Sequence, residues 1–110
     1  MDGLMTEKIG EPAVLELMAE ECTELAHASL KLARIIRGEN PTPKNADAAR
    51  LEVMEELADV FVTTDYLEEL EWFRAGIVGT FMKRKRKRAW ERVRYADDQT
   101  VGKREDMWTE

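Results

Sequence analysis

Two short acidic words stand out in this chain for the chemistry they could do. The first is Glu20-Glu21-Cys22-Thr23-Glu24, and the second is Glu56-Leu57-Ala58-Asp59. Each sets two carboxylates three residues apart. On a helix such a pair lies on one face, about 60° apart around the axis. Four carboxylates converging from two helices would offer an oxygen-rich site to a hard divalent cation. Asp59 is the least comfortable of the four, because Leu57, Ala58, Val60, Phe61 and Val62 surround it in sequence. A carboxylate buried in such company costs several kcal/mol unless it is paired or coordinates a metal. A buried Asp–Arg pair, or acids that simply face water, are the plainer readings.

Helices must position these words. Pro12 suits a first helical turn, and the run from there to Ile36 is strongly periodic. Leu15, Met18, Cys22, Leu25, Ser29, Leu32 and Ile36 alternate three- and four-residue steps and read as an apolar seam, which places Cys22 in the core. Beside it runs Val14, Leu17, Glu21, Glu24, Ala28, Lys31 and Ile35. Gly38 is a natural C-cap. Pro41 and Pro43 define the loop at 39–46, and Asn45 or Asp47 can cap a second helix from about Ala48 to about Leu70. Leu51, Met54, Ala58 and Phe61 give its stripe, and its middle, apolar almost all round, is expected to be deeply buried. Gly76 and Gly79 suggest a break before a last helix, from Ile77 or Thr80 to Tyr95. Residues 1–11 read as a loose arm or a short first helix, and 96–110 as an irregular tail in which Trp108 packs on a neighbour. No strand is evident. The expected fold is all-α: one domain over 1–110 with its core at 12–95, two long antiparallel helices, and a basic C-terminal helix in a small oligomeric bundle.

Composition narrows the function classes. The 110 residues are 36% charged and 44% hydrophobic, which suits a helical protein better than a disordered one. No apolar run approaches the ~20 residues needed to cross a bilayer, and no signal-peptide pattern opens the chain, so no membrane partner and a cytoplasmic setting are expected. One cysteine and one histidine support neither a disulfide nor a zinc site, and no glycine-rich phosphate loop occurs. Residues 1–80 carry 7 basic and 17 acidic side chains, a net −10; residues 81–110 carry 10 and 6, a net +4. An acidic body with a basic segment can take cations at one place and anions at another. Lys83 to Arg88 are six consecutive cations. They could be a solvated helix segment, a phosphate-binding face or a nucleic-acid patch, and the acidic remainder argues against the last. Lys85 shares a row with Val78, Met82 and Ala89 and is expected to point inward, with Arg88 and Arg92 flanking.

The two words in this order, on helices separated by one loop, resemble the signature of the MazG-like, all-α nucleoside triphosphate pyrophosphohydrolases. The wording that carries the resemblance runs from Leu17 to Ala26 and from Glu55 to Val60, and the resemblance spans about Leu15 to Arg92. The 31 residues between Glu24 and Glu56 are somewhat more than the family's common spacing. The resemblance implies a Mg²⁺ site (Mn²⁺ as a substitute) at Glu21, Glu24, Glu56 and Asp59. It implies hydrolysis of a nucleoside triphosphate to the monophosphate and pyrophosphate by water attack at the α-phosphorus. Glu20 and Glu21 would then serve catalysis, with Glu20 positioning the water or standing outside the ligand set, and Lys85 and Arg88 would bind substrate phosphate. A homodimer or homotetramer is expected as well, because long amphipathic helices in so small a chain leave apolar surface to cover. A phosphoribosyl-ATP pyrophosphohydrolase is a related reading that the same acids would serve. A non-enzymatic helical oligomer, its acids paired with Lys31, Arg50 or the basic run, is the alternative of a different class.

Overall fold

The structure, a computed structural model, describes residues 4–39 and 45–99. They form four helices: α1 Met5–Ile9, α2 Glu11–Arg37, α3 Ala46–Glu68 and α4 Ala75–Gln99. No strand occurs among the described residues. The chain divides into two compact units, 1–73 and 74–110.

Local chemistry explains where the helices start and stop in the first unit. Gly10 (φ 89°) ends α1 and precedes α2, and Pro12 sits in the first turn of α2. Gly38 adopts the left-handed conformation (φ 74°, ψ 19°), and its N–H donates to the carbonyls of Arg34 and Ile35. Asn45 caps α3, its side-chain oxygen accepting from the Asp47 N–H at 2.7 Å. Residues 40–44, including Pro41 and Pro43, lie outside the described set.

α2 and α3 pack side by side. Lys31 pairs with Glu52, Glu24 and Glu21 gather with Glu56 and Asp59, and the Thr6 N–H of α1 donates to Glu69 Oε1 at 2.9 Å, just past α3. Rising numbers on one side meet falling numbers on the other, so α2 and α3 are antiparallel. Among the described residues the buried side chains are Val14 and Ala28 on α2, Ala49 and Thr63 on α3, and Leu70 beyond it.

This core overturns part of the expected packing. The face of α2 turned toward α3 is centred on the row of Val14, Leu17, Glu21 and Ala28, and of the seam from Leu15 to Ile36 only Met18, Leu25 and Leu32 are half-buried. Leu15, Cys22, Ser29 and Ile36 are exposed, so Cys22 is not a core residue. The middle of α3 is likewise not deeply buried: Leu57, Ala58, Asp59, Phe61 and Val62 are all exposed. The physical reason is that α2 is apolar over far more than half its circumference, and α3 over much of its middle. Each can present only one face to the other, and the acid-bearing faces are the ones they share.

α4 is longer than its sequence pattern implied. Gly76 and Gly79 lie inside it, and the irregular stretch falls earlier, between Glu69 and Arg74. Two glycines cost about 1 kcal/mol each relative to alanine, which does not stop a helix once it is nucleated. At its other end α4 continues to Gln99, past the expected stop at Tyr95, while Val101 and Trp108 lie outside the described residues. No residue of α4 is buried.

Candidate metal centre

The cluster is built by two antiparallel helices, each contributing one turn. Glu21 and Glu24 are three residues apart on the inward row of α2, and Glu56 and Asp59 are three apart on α3. One carboxylate oxygen from each of the four lies within 4.8 Å of the others. The sequence reading thus named four side chains that the fold brings together. The argument that led to Asp59 fails, however. Asp59 is exposed, as is Glu24, whereas Glu21 and Glu56 are half-buried. Asp59 belongs to the cluster by position, not because burial forces a partner on it.

The electrostatics are those of crowded anions. The Glu21 carboxyl titrates above its usual range, first through loss of solvent and then through Glu24, Asp59 and Glu20. Glu56 is raised in the same way: loss of solvent first, then the charge of Glu24 and a hydrogen bond with it, then Asp59 and Glu21. Oε2 of Glu21 and Oε2 of Glu56 are buried and have no hydrogen-bond partner. Buried polar atoms are nearly always satisfied, so two orphaned carboxylate oxygens at one place mark a position suited to a cation.

The two cations of α2 and α3 that the sequence reading set against these acids pair elsewhere. Lys31 Nζ lies 3.5 Å from Glu52, and Arg50 lies 2.9 Å from Asp47. Neither of these two cations therefore pairs with the four acids; the basic run, the third partner that the ion-pair reading named, belongs to the second unit. Both groups of the Lys31–Glu52 pair are more than a third exposed, so it contributes below about 1 kcal/mol.

Glu20 is exposed beside Glu21 and lines a shallow recess with Ala19, Thr23, Glu24 and His27. A second recess of about 230 Å³ lies along the cluster, lined by Glu24, His27, Ala28, Lys31, Glu52 and Glu56. Lys31 thus stands next to the acids, on the row read for it from the sequence, and so does His27, a place that sequence reasoning did not give it. The signal was present in their spacing: three and seven residues after Glu24 is one and two turns along the same side of α2.

Lys85 and Arg88 lie on α4, in the second unit, and both are exposed. Within α4, described by itself, the whole basic run from Lys83 to Arg88 is exposed. Arg84 sets its guanidinium 5.9 Å from the ring centre of Phe81.

No helix among the described residues is long and apolar enough to cross a membrane. Compared with family models, curated proteins and solved structures, the chain gives no match. Any functional reading therefore rests on the chain's own residues.

Proposed function

We propose that this protein is a Mg²⁺-dependent nucleoside triphosphate pyrophosphohydrolase, cleaving a nucleoside triphosphate to the monophosphate and pyrophosphate and working as a homodimer or homotetramer. The observation that carries the reading is the convergence of Glu21, Glu24, Glu56 and Asp59 within 4.8 Å, with two orphaned oxygens and with Lys31 and Arg50 paired elsewhere. An all-oxygen donor set of this kind suits Mg²⁺ or Mn²⁺ rather than a soft metal. When bound, such an ion lowers the pKa of a water, orients phosphate oxygens and offsets their charge.

The chain's own groups have separable roles in this account. Glu21, Glu24, Glu56 and Asp59 hold the cation. Glu20, beside Glu21 and exposed, is placed to accept a proton from the attacking water or to orient it. The recess beside the cluster is smaller than the roughly 300–1,000 Å³ usual for a whole small-molecule ligand. It fits phosphate groups, and the nucleoside would rest on other surface. Lys85 and Arg88 are the cations assigned to the outer phosphates. Without them, and without the metal, a triphosphate would meet only repulsion from the acidic words.

The reading is tested by incubating a panel of nucleoside triphosphates, and phosphoribosyl-ATP, with protein and Mg²⁺ and scoring the products. Pyrophosphate and a monophosphate are expected. Orthophosphate with a diphosphate would contradict it, and so would folded, metal-binding protein that turns over nothing.

A further inference from the structure

The recess along the four acids has a cation of its own. Glu24, His27, Ala28, Lys31, Glu52 and Glu56 line it, and all belong to α2 or α3, within the first unit. Ala28, small and buried, lies between Glu24 and Lys31 on one row of α2 and leaves the space open. Side chains on a helix lean toward its N-terminus, so Lys31 reaches from its own turn back over Ala28, toward Glu24. Its described bond, to Glu52, spans 3.5 Å, where a tight charged pair spans about 2.7–2.9 Å. The two side chains are 39% and 37% exposed. So long and wet a pair neither fixes the ammonium nor uses all its N–H donors.

We infer that Lys31 binds the departing pyrophosphate portion of the substrate in this recess. The inference rests on the proposed reading, because a cation held by the acids is what makes the recess fit for an anion. Without one, the carboxylates of Glu24, Glu52 and Glu56 face a single ammonium and repel phosphate. Glu24 and Glu56 share the proposed cation, which leaves Glu52 and Lys31 to balance each other. A phosphate group brings up to about two charges and three acceptor oxygens, and so displaces the single, distant carboxylate of Glu52 from the ammonium. At about 230 Å³ the recess has room for phosphate and not for a nucleoside as well. Position along α2 says which phosphate. Glu20 and Lys31 lie on opposite sides of Glu24, and the recess of Glu20 meets that of Lys31 at Glu24 and His27. In-line displacement likewise sets attacking and leaving oxygens on opposite sides of the phosphorus. The water oxygen bonds to the α-phosphorus at the Glu20 end and its proton passes to Glu20. The bond to the bridging oxygen breaks, and that oxygen leaves with the electron pair on pyrophosphate, at the Lys31 end.

Calorimetric titration of inorganic pyrophosphate into the full chain in saturating Mg²⁺ tests this without turnover. Lys31→Gln is expected to weaken binding by about ten-fold or more, and Lys31→Arg to stay within about three-fold of the unmodified chain. Glu52→Gln is expected to tighten it about two- to five-fold by releasing the ammonium. A pair that only ties α2 to α3 would respond alike to loss of either partner, so opposite signs for Lys31 and Glu52 mark a phosphate ligand. Binding of Mg²⁺ alone should be unchanged in Lys31→Gln and Lys31→Arg. If Lys31→Gln loses its helical signal, the sign of the Glu52→Gln change decides. Equal weakening by Lys31→Gln and Glu52→Gln, full binding by folded Lys31→Gln, or no pyrophosphate bound by the unmodified chain would overturn the assignment. The reaction is judged separately. Nucleotide turnover with pyrophosphate binding indifferent to Lys31 removes Lys31 alone, whereas Lys31-dependent binding without turnover of any nucleotide removes the reaction and keeps the site.

Discussion

At the scale of residues, the four carboxylates are held together against their own repulsion. Glu24→Gln and Asp59→Asn should each abolish metal-dependent release of pyrophosphate while leaving far-ultraviolet circular dichroism unchanged. Full activity in Asp59→Asn would remove it from the ligand set. The raised titration of Glu21 and Glu56 gives a second expectation. Acids whose folded-state pKa lies above the unfolded value bind more protons when folded. Their strain is therefore relieved as pH falls through the folded pKa, and metal-free protein should be more stable just below that range than above it. The gain in melting temperature from Mg²⁺ should shrink between about pH 8 and about pH 5, because protons compete with the cation for the same oxygens. A Mg²⁺ effect that grows on acidification would contradict the assignment. The acids themselves were legible from spacing alone, but the reason first given for Asp59 was not sound. A run of apolar neighbours in sequence is not burial, and Asp59 lies on the acid-bearing side of α3 while Phe61 and Val62 point elsewhere.

At the scale of elements, helix positions were legible because their signals are local. Gly38 and Asn45 mark the end of α2 and the start of α3 as their chemistry requires. Gly38→Ala should cost about 1 kcal/mol, since a Cβ is strained at φ 74°, and Asn45→Ala about the same through loss of its bond to the Asp47 N–H. Denaturant unfolding measures both. The glycines of α4 misled for the opposite reason: neither Gly76 nor Gly79 has positive φ, and a Cβ added at either meets nothing within 4 Å. Gly76→Ala should therefore strengthen α4 by up to about 1 kcal/mol, read as slower amide exchange in its first turns. Which face each helix turns inward was not legible. A periodic pattern reports that a stripe is apolar, not what covers it, and α2 has apolar residues on both the Val14 row and the Leu15 row.

At the scale of the whole molecule, the distribution of charge and apolar surface fits a protein that completes itself by binding. In the proposed account the four acids of α2 and α3 would hold the cation and the basic run of α4 would supply charge for phosphate. Mg²⁺ or Mn²⁺ should raise the melting temperature by several degrees at concentrations well above the dissociation constant, since a ligand of the native state stabilises it by mass action. A helical scaffold without a metal site would show no such shift. The central claim is attack by water at the α-phosphorus, and its most direct measurement is hydrolysis in water enriched in heavy oxygen. The account predicts that the label enters the nucleoside monophosphate and that the pyrophosphate carries none. Label in the pyrophosphate, or in orthophosphate released alongside a diphosphate, would contradict it.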